Sequence, residues 1–166
     1  MTDTVSLLPD DVDGLIGREI HRASGEVFKK EFQRWAVAVG DLDPLYFDEA
    51  FAHELGHPDV VMPQMFISNV LNGVEQLDTL RPDGARNGKG LEQVTLRTTQ
   101  QMAGGEETDF HLPAYPGDVL EAVFVLESMR QREGRSGPFV LTTRSVTYTN
   151  QSGRTVARTL TTIISR

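Results

Sequence analysis

The sequence predicts an α+β fold in which one long buried helix is wrapped by an antiparallel sheet of about five strands. Two observations lead to this prediction. Residues 63–77 carry apolar side chains around much of a helical circumference, so this helix needs cover on most sides. These side chains are Met65, Phe66, Ile67, Val70, Leu71, Val74 and Leu77. Nearly everything after residue 90 reads as strands joined by short turns, which is typical of an antiparallel meander that could supply the cover.

Two shorter helices are expected before the buried one. The first, at residues 29–39, has apolar side chains on one helical face. They are Phe32, Trp35, Ala36 and Val39. Gly40 then provides the usual glycine stop. Asp48 can cap a second helix at residues 49–55, which Gly56 ends.

The strand signals fall into five segments after a polar loop at residues 78–90 that is rich in Gly, Pro, Asp and Asn. The expected strands are residues 91–102, 107–112, 118–132, 139–149 and 155–165. Gly104 and Gly105 are expected to divide the first two. Residues 14–20 could add a short edge strand or a turn. Strand 118–132 is apolar on both faces, as expected of a central strand covered by helix on one side and by a second subunit on the other.

Length and composition fit one domain at residues 14–166 preceded by a flexible arm at residues 1–13. The net charge of −8 argues against nucleic acid, which needs a basic face. No apolar run is long enough to span a membrane and no secretory signal is present, so we expect a cytoplasmic protein. The chain has no cysteine and no histidine pair in a zinc pattern, so we expect neither a metal nor a cofactor.

Several motifs occur in an order that resembles the MaoC-like enoyl-thioester hydratases and dehydratases, a family with the hotdog fold. They are the helix running into Val39-Gly40-Asp41-Leu42-Asp43-Pro44-Leu45, then Val61-Met62-Pro63, Phe110-His111-Leu112-Pro113, Pro116-Gly117-Asp118-Val119, and the hairpin segments at residues 132–137 and 148–153. The resemblance covers most of the chain. It implies a site that adds water to an enoyl thioester or removes it from a 3-hydroxyacyl thioester.

The chain departs from the catalytic pattern of that family at the position of the general base. Family members with activity have an Asp followed five positions later by a His, and together these two groups activate the water. Asp41 occupies the acid position here, but Tyr46 stands where the His belongs and Asp43 replaces the usual Asn. A phenol with an ordinary pKa of about 10 is a poor base at neutral pH. Met62-Pro63-Gln64 also differs from the small-residue turn that would begin the helix.

The resemblance is therefore strongest to accessory subunits of heteromeric dehydratases and to the catalytically silent N-terminal half of two-domain hydratases. It implies a partner subunit with an intact Asp/His pair and an acyl thioester ligand, with CoA favoured over a carrier protein by the acidic charge. The residues expected to line the substrate tunnel are Tyr46, Met62, Gln64, Met65 and Phe66, and those that could meet CoA phosphates are Arg130, Arg132 and Arg135.

Two alternatives remain open at the level of sequence. The chain could be a self-sufficient homodimeric enzyme, either a hydratase that uses Asp41 with a replacement histidine or a thioesterase that uses a carboxylate and water. The candidates for that histidine are His53, His57 and His111. The chain could also bind acyl thioesters without any chemistry.

Overall fold

The computed structural model describes residues 6–72, 77–80, 96, 98 and 100–166, and it contains one five-stranded antiparallel sheet. The strands are β1 Glu19–Glu26, β2 Gln101–Phe110, β3 Val119–Gly134, β4 Gly137–Asn150 and β5 Thr155–Ser165. Their order is β1-β3-β4-β5-β2, so β3 to β5 form a meander while β1 and β2 occupy the edges. The predicted α+β class and the number of strands are confirmed.

The helices before residue 60 follow the local signals in the sequence. They are α1 Val12–Leu15, α2 Lys29–Val39 and α3 Glu49–Glu54. Helix α2 has the predicted bounds, and Gly40 ends it with a φ of 77°, in the left-handed region that suits glycine. At the start of α3 the Asp48 carboxylate accepts a hydrogen bond from the Phe51 amide at 3.1 Å, so the predicted cap is confirmed.

The predicted buried helix is described only in its first part. A 3₁₀ turn at Gln64–Phe66 continues into α4, Ile67–Val70, and the side chains of Phe66, Ile67 and Val70 are buried. The prediction for Leu77 is wrong, because Leu77 begins a separate 3₁₀ turn and is 86% exposed. The Asn72 amide donates to the Asn69 carbonyl, three residues back, which tightens the end of the helix, and asparagine is a weak helix former. Val74 lies outside the described residues.

The predicted division at Gly104 and Gly105 is also wrong, because β2 runs continuously through both glycines. They form an irregularity in the pairing with β5 instead of a turn. Gly105 has a φ of 144°, and a Cβ on Gly104 would lie 3.0 Å from the Thr162 side chain. The glycines are thus required by the bend and by close packing within one strand. Most of the strand predicted at residues 91–102 lies outside the described residues.

The hydrophobic core lies between the helices and the inner face of the sheet. Its main cluster joins Phe32 of α2 and Phe66 and Val70 at α4 to Leu120 and Val146 on the central strands. A smaller second cluster covers the far half of the sheet and contains Ile20, Leu126, Met129 and Val140. Leu7, Leu8, Val12 and Leu15 pack against this second cluster from the N-terminal segment.

Candidate functional site

The loop after α2 holds Tyr46 against the main core. The Asp43 carboxylate accepts from the Leu45 amide at 2.9 Å and thereby caps the 3₁₀ turn Pro44–Tyr46. The Gln33 side-chain amide on α2 donates to the Tyr46 carbonyl at 2.9 Å. These two bonds fix the turn, and the half-buried Tyr46 ring packs against the main cluster. The scaffold that the sequence predicts around Asp41 is therefore present.

Tyr46 and Asp41 form a phenol–carboxylate pair. Burial raises the pKa of the Tyr46 phenol above its ordinary value, and the negative charges of Asp41 and Asp43 raise it further. The phenol therefore keeps its proton at neutral pH. Such a group cannot remove a proton from water.

The four histidines are on segments outside the turn that holds Asp41 and Tyr46. The His53 Nε2 is 3.0 Å from the Pro58 carbonyl oxygen, and the His57 Nδ1 is 3.0 Å from the Tyr115 hydroxyl. His111 is exposed just after β2, and its backbone amide donates to the Val156 carbonyl. The fourth, His21, lies on β1. Within the described residues no histidine hydrogen-bonds to Asp41, so no Asp/His pair is formed there.

The predicted tunnel residues are only partly brought together. Met62 and Phe66 are buried in the main cluster, against which Tyr46 packs. The Met62 amide donates to the Ala114 carbonyl at 2.9 Å, which ties the start of the predicted buried helix to the segment after β2. Gln64 is exposed, and Met65 is 61% exposed. Of the five predicted residues, only Met65 lines a cavity between α4 and the sheet.

That cavity has a volume of about 290 Å³ and lies between α4 and the inner face of the sheet. Side chains from the α4 region, including Met65, Ile67, Ser68 and Leu71, form its roof. Its floor consists of inward-facing residues that lie two apart on β4, namely Tyr148, Val146 and Arg144, together with their cross-strand neighbours. The cavity therefore lies between the two layers of the fold and is partly open to solvent.

The strand register divides the floor into three rows. The neighbours across the sheet are Ala23 and Phe110 in the Tyr148 row, His21, Phe124, Thr159 and Thr108 in the Val146 row, and Thr161 and Glu106 in the Arg144 row. The neighbours of Tyr148 in its row, Ala23 and Phe110, are apolar. The Arg144 row instead contributes a guanidinium, the Thr161 hydroxyl and the Glu106 carboxylate. The floor thus changes from apolar to polar along the strands.

Three residues of this floor are not among the site residues predicted from the sequence: His21, Glu106 and Arg144. Burial lowers the pKa of the Arg144 guanidinium, and burial together with the charge of Glu106 raises the pKa of the Tyr148 phenol. A signal for Arg144 existed, because strand alternation places it on the same face as Val146 and Tyr148. A charged residue on the apolar face of a central strand is unusual enough to mark a site.

The predicted CoA-contacting arginines lie at the far end of β3. Arg130 and Arg132 are exposed, and they alternate with the buried Met129 and the half-buried Gln131, which places them on the outer face of the sheet. Arg135 is in the turn between β3 and β4. There it lines a second cavity of about 240 Å³ together with Arg166.

The described residues contain neither a cluster of metal-binding side chains nor a helix that could cross a membrane. Within residues 6–72 and 100–166 no group of three or more His, Asp or Glu side chains is placed to hold a metal ion. No helix in the described part of the chain is long and apolar enough to cross a membrane.

The sequence matches the model of the "FAS1-like, dehydratase domain region" over residues 14–159. A UPF0336 protein of Parafrankia sp. is 30% identical over 141 residues, which cover 85% of this chain and 84% of that protein. A protein of Thermomonospora curvata named "probable enoyl-CoA hydratase alpha subunit" is 28% identical over 148 residues. That match covers 84% of this chain but 44% of the Thermomonospora protein, so this chain spans less than half of it.

Among solved structures, a MaoC-like dehydratase superposes with a TM-score of 0.71 and 26% identity, covering 93% of this chain and 43% of that one. The ChsH1-ChsH2 complex from Mycobacterium tuberculosis gives a TM-score of 0.68 with 20% identity and coverages of 87% and 86%. These likenesses confirm the predicted hotdog fold.

Proposed function

Because the chain belongs to the family of FAS1-like dehydratase domains, within the MaoC-like hotdog proteins, we propose that it is a non-catalytic, tunnel-forming subunit. It would act in a heteromeric (R)-specific enoyl-CoA hydratase or 3-hydroxyacyl-thioester dehydratase. The observation that carries this proposal is the pair formed by Asp41 and the protonated Tyr46. The acid of the expected dyad is present, but a phenol that keeps its proton stands where the base belongs.

Hydration of an enoyl thioester needs a group that takes a proton from water while a second proton reaches the adjacent carbon. An imidazole titrates near neutral pH and can do this, whereas a phenol whose pKa is raised above 10 cannot. The histidines nearest in sequence, His53 and His57, already bond to Pro58 and Tyr115. The chemistry is therefore assigned to a second chain.

The proposed partner is another MaoC-like hotdog subunit with an intact Asp/His pair. The name of the Thermomonospora relative, an alpha subunit, and the two-protein complex of the Mycobacterium tuberculosis neighbour support a heteromer. The shared ligand would be an acyl-CoA. Tyr46, Met62, Gln64, Met65 and Phe66 are proposed to line or close its acyl tunnel, in agreement with the position of Met65 in the cavity wall.

The test compares hydration of a trans-2-enoyl-CoA by the purified chain, by a hotdog protein of the same genome that carries the full Asp/His motif, and by their mixture. We expect the mixture to be active, the two proteins to co-purify, and this chain alone to give no turnover. Full turnover by this chain alone would overturn the proposal in favour of a homodimeric hydratase. Hydrolysis to free CoA would instead indicate a thioesterase.

A matched pair of variants separates the role of Asp41 from that of the partner. In the mixture, Tyr46→Phe of this chain should leave kcat within about twofold, because the phenol is not a base in the proposed reaction. Asp41→Asn should likewise leave turnover in place, whereas loss of the Asp or the His in the partner should abolish it. Binding of the acyl-CoA with no product in any mixture would indicate a binding protein without chemistry.

A further inference from the structure

Arg144 and His21 both line the cavity between α4 and the sheet, and each has a buried nitrogen, Nε of Arg144 and Nε2 of His21, without a hydrogen-bond partner among the described residues. The Arg144 guanidinium carbon lies 5.8 Å from the centre of the Phe124 ring. The centre of the His21 ring lies 5.1 Å from the same Phe124 ring centre. Both nitrogens therefore belong to groups that flank the same aromatic ring on the inner face. Buried polar atoms in native proteins are nearly always paired, so these two indicate a site for an acceptor.

The Tyr148 row is the end of the floor nearer to the loop that carries Tyr46, since Tyr46 packs against the core cluster that contains Tyr148. The Tyr148 row ends at Phe110, and four residues later the Ala114 carbonyl accepts from the Met62 amide. The Arg144 row is four residues further along β4, or roughly 13 Å at 3.3 Å per residue. An acyl chain that starts at the Tyr46 loop and follows the floor of the cavity thus meets apolar side chains first and Arg144 last.

We propose that the cavity selects acyl groups that carry an oxygen acceptor remote from the thioester, with Arg144 as the principal donor and His21 as the second. This inference rests on the proposed function, because it assumes that the thioester lies at the Tyr46 end. A plain alkyl tail would bury the guanidinium without any partner, which is unfavourable. An oxygen on the tail satisfies the unpaired nitrogen.

Glu106 determines how strongly a charged oxygen is preferred. It belongs to the Arg144 row, and one of its carboxylate oxygens lies 3.3 Å from the Thr161 hydroxyl, which donates to it. Its negative charge offsets part of the attraction that Arg144 exerts on a carboxylate. Hydroxyl and keto groups are therefore accepted as well as carboxylates, and the required feature is the acceptor oxygen.

The experiment measures binding of three thioesters to the full chain by calorimetry: dodecanoyl-CoA, ω-hydroxydodecanoyl-CoA and the mono-CoA thioester of dodecanedioic acid. We expect at least one oxygenated thioester to bind about tenfold more tightly than the plain one, as one hydrogen bond to a charged group implies. Arg144→Met should remove that preference. Arg158→Met, a change on the outer face where Arg158 pairs with Glu127, should retain it.

Equal binding of all three thioesters by the wild-type chain would overturn the inference and leave the proposed function intact. Failure to bind any of them, combined with inactivity in the mixture with the partner, would overturn both. If Arg144→Met does not fold, Glu106→Gln provides a second measurement on an exposed side chain. It should strengthen binding of the dicarboxylic thioester relative to the hydroxylated one, and an unchanged ratio would contradict the placement of the acceptor in the Arg144 row.

Discussion

The Asp41 carboxylate lies close enough to the Tyr46 phenol for its negative charge to raise the pKa of the phenol. In the catalytic pattern that the chain resembles, this carboxylate would orient a histidine and a water molecule. Here a protonated phenol stands in the position of the histidine, so the loop keeps its turn geometry while losing the base. The pair gives a direct way to test the proposal at the level of single residues.

Replacing Asp41 with Asn should lower the pKa of Tyr46. The carboxylate raises that pKa through its negative charge, which the substitution removes. The pKa should remain above 10, because burial is the largest cause of the shift. The measurement is the pH dependence of tyrosinate absorbance, with Tyr46→Phe used to assign the signal.

A Tyr46 pKa that is the same in Asp41→Asn and in the wild type would contradict the electrostatic effect of Asp41 on Tyr46. Asp13→Asn, in the short helix α1, is a suitable control for the general effect of removing one negative charge. It should leave the Tyr46 titration nearly unchanged, since exposed charges beyond about 10 Å are screened at moderate salt.

Stability should fall as the pH rises above about 10. The pKa values of all three tyrosines, Tyr46, Tyr115 and Tyr148, are raised in the folded chain, with burial as the largest cause in each case. A raised pKa means that the folded state holds the proton more tightly than the unfolded state. This stability is fully present below the unfolded pKa of 10.0 and is lost as the pH rises through the folded values.

The measurement is urea unfolding at a series of pH values from neutral to strongly alkaline. Tyr148→Phe should flatten the alkaline part of the curve more than Tyr115→Phe, because Tyr148 is buried and Tyr115 only half-buried. A free energy of unfolding that stays constant across pH 10 would show that the tyrosines titrate alike in both states.

Gly25→Ala should destabilise the fold by about 1–3 kcal/mol. A Cβ on Gly25 would lie 2.0 Å from the carbonyl oxygen of Val70, so β1 and α4 would have to separate. The gain from restricting the unfolded chain is at most about 1 kcal/mol and cannot offset this overlap. Chemical denaturation measures the change. Ser24→Ala, one residue away on an exposed position, should change the stability by less than about 0.5 kcal/mol.

The features that the sequence predicts well are those set by neighbouring residues. Helix α2 has the predicted bounds because Phe32 and Ala36 lie on one helical face and Gly40 stops it, and β5 has its predicted bounds because turns flank it. Gly104 was misread as a turn because its role depends on Thr162, 58 residues later in the chain. The grouping of His21, Glu106 and Arg144 likewise depends on the order of the strands in the sheet, which local patterns do not specify.

Arg130 and Arg132 lie near the end of β3, and Arg135 lies in the turn that follows it. If Arg132 contacts the phosphates of CoA, Arg132→Ala should weaken binding of an acyl-CoA by about tenfold, as expected for a lost charge-assisted hydrogen bond. It should leave binding of the matching acyl-pantetheine, which lacks the nucleotide phosphates, unchanged. Arg154→Ala, in the turn between β4 and β5, removes an equal charge from an exposed position and is the control. Equal losses for the two ligands, or equal losses in the two variants, would contradict a phosphate contact at Arg132. The same comparison applied to Arg130 and to Arg135 distinguishes the outer face of β3 from the second cavity, which only Arg135 of these three arginines lines.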